Sequence, residues 1–210
     1  MKDWFYFLVY FLGYPPMILA SSTTVLHRDR VRRKGAWILA SNHFSPYDNA
    51  CLIKETPRVL NFVSIVELFK HPLARWFLTH IGATPLDRSK KDTHTIRIVL
   101  EKLKAGRVIA LFPEASIRTE ETSVLNGGRL KPGVGRIAKM AGVPIIPCVI
   151  TGARGFHTFT NWLPFRKIKI GLIYGEPMEV KTDADYEGFE ERLRQAFLSL
   201  HEELKTAMGG

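Results

Sequence analysis

The sequence predicts an α/β fold: a single domain with a mostly parallel central sheet flanked by helices, preceded by an apolar N-terminal segment. From about residue 36 onward, apolar runs of strand length alternate with stretches of helical periodicity, the pattern of units in which each strand is returned by a helix. A length of 210 residues suffices for one domain with a sizeable core, and 46% apolar residues suit a folded chain. Residues 4–20 carry no charge and are dense in aromatics, which sets them apart from the rest of the chain.

In chain order, the first segment is at the lower length limit for crossing a bilayer, and Pro15-Pro16 interrupts it. Two short pieces dipping into one leaflet and a single span are both compatible with it. The stretch Arg-Asp-Arg-Val-Arg-Arg-Lys at 28–34 comes next, and a basic cluster beside an apolar segment suits an anionic cytoplasmic leaflet. Lys2 with Asp3 makes a poor start for an exported leader. Residues 1–34 are therefore expected to associate with a membrane, and 35–207 to form the α/β domain on its cytoplasmic side.

Within that domain, 36–41 reads as a strand, and Ser45-Pro46 as the N-cap and first residue of a helix. A strand at 58–64 precedes a helix at 67–81, in which Pro72 predicts a kink or a late start. A short strand at 83–86 leads to a helix at 93–103 with Ile96, Val99, Leu100 and Leu103 on one stripe, stopped by Gly106. Strands at 108–112 and 143–150 bracket a helix at 133–140. A strand at 168–174 alternates with Lys169 as though one face were wet, and a closing helix at about 185–204 spaces Phe189, Leu193, Phe197 and Leu200 for packing.

Thirty Lys and Arg against twenty Asp and Glu give a formal charge of +10, which calls for an anionic partner. The dense aromatic run is uncharged and the cations come after it, an arrangement for a membrane; nucleic-acid binding calls for the two interleaved. No nucleic-acid partner is expected. Cys51 and Cys148 make neither a disulfide framework nor a metal motif. The histidines at 71, 80, 94, 157 and 201 lack ligand spacing, so no metal site is expected. Gly-x-Ser-x-Gly is absent, which removes support for an acyl-serine intermediate.

The chemistry-bearing stretch is Ser-Asn-His-Phe-Ser-Pro-Tyr-Asp at 41–48, a histidine and a carboxylate at a strand-to-helix corner. A regular helix would point His43 and Asp48 to different faces, and the Ser-Pro corner supplies the bend that lets them meet. Imidazole accepts a proton at neutral pH, and a carboxylate on its other nitrogen fixes the tautomer and stabilises the imidazolium. The same spacing also fits a plain capping role for Asp48. His43, Arg88 and Glu114 each fall just past a predicted strand end, where ligands of such sheets bind.

Asn42-His43-x-Ser45-x-x-Asp48 resembles the His-x4-Asp signature of the glycerolipid acyltransferases, which include the 1-acylglycerol-3-phosphate (lysophosphatidic acid) acyltransferases. Three further blocks come in that family's order: Gly-Ala-Thr-Pro-Leu-Asp-Arg-Ser at 82–89, Phe-Pro-Glu-Ala-Ser at 112–116 and Val-Pro-Ile-Ile-Pro at 143–147. The resemblance implies that His43 deprotonates an acceptor hydroxyl and Asp48 orients it. The hydroxyl then attacks the thioester of an acyl-CoA or acyl-acyl-carrier protein directly, with no cofactor. It implies a lysophosphatidic acid acceptor and a phosphatidic acid product; glycerol-3-phosphate or another lipid hydroxyl is the near alternative, and a non-catalytic lipid-binding relative the distant one. It further implies that Arg88 meets the acceptor's phosphate and Glu114 its glycerol portion. A surface pairing of Arg88 with Asp87 or Glu121 is the competing reading. The third block departs from the common Phe-Pro-Glu-Gly-Thr-Arg: Ala115 and Ser116 replace Gly and Thr, and the arginine comes one position late as Arg118. Ala tolerates positive φ less well than Gly, so either the loop differs in shape or Arg118 serves from the next position. Lys131, in the glycine-rich stretch 127–133 ahead of a helix, is a further candidate for holding an anion.

Overall fold

A computed structural model describes residues 3–87, 89, 92–119, 121–162 and 167–209. The elements are α1 (Trp4–Ala20), β1 (Ser21–Leu26), β2 (Trp37–Ser41), α2 (Asp48–Glu55), β3 (Leu60–Ile65), α3 (Pro72–His80) and β4 (Thr84–Leu86). They continue with α4 (Thr93–Lys104), β5 (Val108–Leu111), α5 (Val134–Ala141), β6 (Ile145–Thr151), β7 (Ile168–Tyr174), α6 (Asp183–Tyr186) and α7 (Phe189–Met208). Among the described residues the strands form one sheet in the order β1-β7-β6-β2-β5-β3-β4. From β6 to β4 all neighbours are parallel; β7 runs against β6, and β1 runs parallel to β7.

β2 is buried along its whole length because helices cover both faces of the sheet. Trp37 and Leu39 pack on one face with Met17 and Ala20 of α1 and Cys51 and Leu52 of α2. Ile38 and Ala40 face the other way, against Val99 of α4, Ala138 of α5 and Phe197 of α7. The chain leaves β2 over the first face toward β3, and leaves β5 over the second face toward β6. This reversal brings the loops after β2 and β5 side by side at the carboxyl ends of the sheet, where ligands of such folds bind.

Several expectations are corrected. Pro15 and Pro16 lie inside one continuous helix, so α1 is neither two short pieces nor a free span. The helix is docked along one side: the Tyr14 hydroxyl donates to the Ala50 carbonyl at 3.1 Å, the Tyr6 oxygen accepts from the Leu60 N–H at 3.3 Å, and Arg107 pairs with Asp3 through both carboxylate oxygens. Among the described residues no helix is long and apolar enough to cross a membrane. Residues 21–26, within the stretch set apart as the N-terminal segment, form an edge strand of the same sheet. The basic cluster folds partly into a 3-10 turn, Arg28–Val31. There Arg28 pairs with Glu55, and Arg30 with Glu176 and the Tyr174 carbonyl, at the end of the sheet where β2 begins.

Pro72 produces the late start: a 3-10 turn, Val66–Phe69, precedes α3, whose first residue it is. The strand at 168–174 is not wet on one face. From Ile170 to Tyr174 every residue is buried, because β1 extends the sheet and α7 covers it. The closing helix is two: α6, opened by a Thr182–Asp185 capping box, and α7, entered through Gly188 at φ +65°.

Candidate active site

The site is assembled where β2 ends. The Asn42 side chain carries the β2–β6 pairing one residue further, donating to the Ile150 carbonyl at 2.9 Å and accepting from its N–H at 2.8 Å. The next residue is fixed at both main-chain atoms. The His43 N–H donates to Glu114 Oε2 at 2.8 Å, and its carbonyl accepts from the Arg118 N–H at 2.8 Å. Glu114 and Arg118 come just after β5, so the neighbouring strand holds the histidine's backbone.

Asp48 fixes the side chain. Its Oδ2 accepts from the backbone N–H groups of Phe44 (2.7 Å) and Ser45 (2.8 Å) and lies 2.9 Å from His43 Nδ1. Pro46 and Tyr47 form a turn, and α2 starts at Asp48 and not at Pro46. The capping and pairing readings therefore describe one arrangement: a single carboxylate oxygen satisfies the turn and orients the imidazole. A carboxylate partner places the proton on Nδ1, which leaves Nε2 as the acceptor. Asp48 is buried, while the His43 side chain keeps 13% of its surface. The Phe112 ring lies flat on the imidazole, centroids 3.9 Å apart and planes within 11°, and Phe62 stacks in turn on Phe112 at 6.4 Å. The ring is thus held in position and in plane with one nitrogen open.

The third block keeps its left-handed turn although the glycine is gone. Ala115 has φ +61°, a conformation disfavoured by about 1–2 kcal/mol for residues with a Cβ. Its N–H closes the turn onto the Phe112 carbonyl at 2.9 Å. Glu114, expected at the acceptor, is buried, with both carboxylate oxygens engaged by the protein. Oε2 takes the His43 N–H, and Oε1 takes the Ser123 hydroxyl (3.0 Å) and the Val124 N–H (2.6 Å). A carboxylate so enclosed braces the loop that carries His43. Arg118 folds back to donate from Nη2 to the Glu114 carbonyl at 3.0 Å, with its Nε buried and unpartnered. Ser116 is half-buried on the same loop, and Lys131 is tied in through its N–H to the Pro113 carbonyl at 2.8 Å. Arg88 lies outside the described residues.

Sequence reasoning misses three contributors. On sequence, Phe112 is only the end of a strand, and Asn42 part of a motif with no task of its own. His157 carries no role there, yet its Nε2 lies 3.0 Å from the buried Ser45 Oγ, which accepts from the Tyr47 N–H at 3.2 Å. A pattern of apolar residues ending in Phe-Pro could have flagged Phe112, whereas nothing local marks His157. The thiols are no alternative nucleophiles: burial raises Cys51 to about 12 and Cys148 further. The arrangement can thus take a proton from a hydroxyl brought to Nε2 and hold the resulting imidazolium against Asp48.

Comparison with known proteins points the same way. A family model described as Acyltransferase matches residues 22–151. The chain is similar to the 1-acyl-sn-glycerol-3-phosphate acyltransferase of Bacillus subtilis, 25% identical over 188 residues, covering 89% of this chain and 88% of that one. It is also similar to the enzyme of that name from Streptococcus pneumoniae, 26% identical over 80% of this chain and 62% of the relative. The crystal structure of the 1-acyl-sn-glycerophosphate (LPA) acyltransferase PlsC from Thermotoga maritima shares the fold. Its TM-score is 0.73 over 92% of this chain and 76% of that chain, at 24% identity.

Proposed function

The chain belongs to the acyltransferase family and is an O-acyltransferase; from that premise we propose that it moves a fatty acyl group from an acyl-CoA or acyl-carrier-protein thioester to the free hydroxyl of 1-acylglycerol-3-phosphate, giving phosphatidic acid. The observation that carries the reading is His43 Nδ1 at 2.9 Å from Asp48 Oδ2, on an imidazole that keeps part of its surface exposed past the end of β2. As the acceptor oxygen attacks the thioester carbonyl, Nε2 takes its proton and Asp48 stabilises the imidazolium. The tetrahedral intermediate then expels the thiolate, which recovers that proton to leave as the free thiol. The scheme needs neither a covalent enzyme intermediate nor a cofactor. Positive charge for the acceptor's phosphate comes from Arg118 and Lys131, both joined by hydrogen bonds to the loop after β5, and by the family resemblance from Arg88; Ser116 lies on the same loop. The enzyme works at a membrane surface, where its lipid acceptor resides.

The test is product identification. Purified protein given oleoyl-CoA and 1-oleoylglycerol-3-phosphate is expected to yield phosphatidic acid by mass spectrometry. Glycerol-3-phosphate, lysophosphatidylcholine and monoacylglycerol serve as competing acceptors. Preferential acylation of any of these overturns the assignment of the acceptor, and the absence of any acylated product with either donor overturns the reading.

A further inference from the structure

One side of the domain is apolar beyond what its own packing uses. α1 buries Phe5, Tyr6, Tyr14 and Met17, and turns Phe7, Phe11 and Leu12 outward, the last two 69% and 70% exposed. Beside it, the 3-10 turn Val66–Phe69 and α3 bury none of their residues, although their apolar spacing looks like that of a packed helix. Leu68, Leu73, Trp76 and Phe77 all stand exposed. Phe5 joins the two elements, its ring edge-on to Trp76 at 5.0 Å and to Phe77 at 6.0 Å. The result is one apolar face shared by two helices, of the kind that marks an interaction surface.

We propose that the 66–80 segment is a second membrane-contacting element, lying with the outer face of α1 on an anionic bilayer leaflet. This rests on the lipid-acceptor reading above. Three observations select a bilayer as the occupant. The exposed side chains on both elements include Trp and Phe, which favour the headgroup boundary. Lys70 and Arg75 stand exposed on the 66–80 segment against the single acid Glu67, in a chain of net charge +10, which complements anionic lipid. The stacked rings of His43, Phe112 and Phe62 lead from the catalytic imidazole to β3, whose end runs directly into the Val66–Phe69 turn. The apolar face thus reaches the end of the sheet that carries the site. Because α1 is packed along its inner side, both helices lie on the leaflet and neither crosses it.

The experiment is flotation of the full chain with phosphatidylcholine vesicles, with and without a quarter phosphatidylglycerol. It compares the wild type, Leu73→Glu/Trp76→Glu, and Phe11→Glu/Leu12→Glu. Replacing two apolar side chains that would enter the leaflet is expected to weaken binding of the α3 variant to the anionic vesicles by at least about tenfold. Its turnover of a short-chain, water-soluble lysophosphatidate is expected to stay within about twofold of wild type, since neither side chain lies at the site, and its thermal midpoint is expected to fall only by the loss of the edge contact of Trp76 on Phe5. Vesicle binding by the α3 variant equal to wild type, with only the α1 variant released, overturns the proposal. So does a concentration-dependent dimer of the wild type that the α3 variant breaks, because the face would then be a contact between copies. Loss of short-chain turnover in the wild type itself would contradict the proposed function and leave the docking result to be read separately.

Discussion

The backbone N–H of His43 donates to Oε2 of Glu114 at 2.8 Å, and the other oxygen of that carboxylate accepts from Ser123 and Val124. One buried side chain therefore ties the His43 loop after β2 to the loop after β5 and to the segment leading toward α5. Glu114→Ala leaves three buried donors without an acceptor, and stability is expected to fall by about 3 kcal/mol. Glu114→Gln keeps the shape but turns an amide donor toward one set of donors. For Gln, kcat is expected to drop by about a hundredfold while KM for the acceptor changes less than about threefold, the split expected when only transition-state geometry is lost. Steady-state kinetics with varied acceptor separate this from substrate binding, which would raise KM instead.

Asp48→Asn tests the orienting carboxylate. An amide oxygen can still accept from Phe44 and Ser45, so the fold is expected to persist with an unchanged circular dichroism spectrum. The charge that stabilises the imidazolium is gone, and kcat is expected to fall by about 10²- to 10⁴-fold. Asp48→Ala removes the turn's acceptor as well and is expected to lower the melting temperature further than Asn does.

Ala115 occupies a left-handed conformation. Ala115→Gly restores a residue free at that φ, while giving the unfolded chain more entropy; the two effects oppose each other at about 1 kcal/mol each. The expected outcome is wild-type activity and a denaturation midpoint close to wild type. Ala115→Val carries a branched Cβ into the same φ and is expected to lose both stability and activity, as read from urea denaturation and turnover.

Lys102 gives a pH dependence with a definite sign. Its Nζ donates to the Gly82 carbonyl (2.8 Å) and to Thr84 Oγ1 (2.7 Å), and burial, aided by Arg107, lowers it from 10.5 to about 8. Between those values the unfolded chain holds a proton that the folded chain has shed, so this residue makes stability rise with pH from about 8 to 10.5. Below about 8 both states hold the proton and the full cost of burying the charge remains. The stability difference between wild type and Lys102→Met, from urea melts across this window, is expected to move in favour of wild type as pH rises. A flat difference would contradict the assignment.

The alternation of strands and helices was legible because most elements bury their own apolar pattern, and the His43–Asp48 pair because a five-residue spacing and a Ser-Pro corner sit inside one local bend. What escaped the sequence was long-range or depended on context. β1, spelled Ser-Ser-Thr-Thr-Val-Leu, carries no apolar alternation and is a strand because β7 pairs with it. The task of Glu114 is set by an N–H 71 residues away, and His157 meets Ser45 only through the fold. An apolar stripe reads the same whether it faces a core or the outside, so the exposure of α3 could not be foreseen. The basic cluster promised free cations, yet Arg28 and Arg30 are committed to Glu55 and Glu176.

The most direct test of the central claim is thiol release from an acyl thioester, with and without lysophosphatidic acid, by the wild type and by His43→Ala. Release that requires the acceptor, and falls by about 10²-fold or more without the imidazole, is the predicted result. Release that proceeds equally without acceptor, or that survives undiminished in His43→Ala, would contradict the assignment of His43 as the base that activates the acceptor hydroxyl.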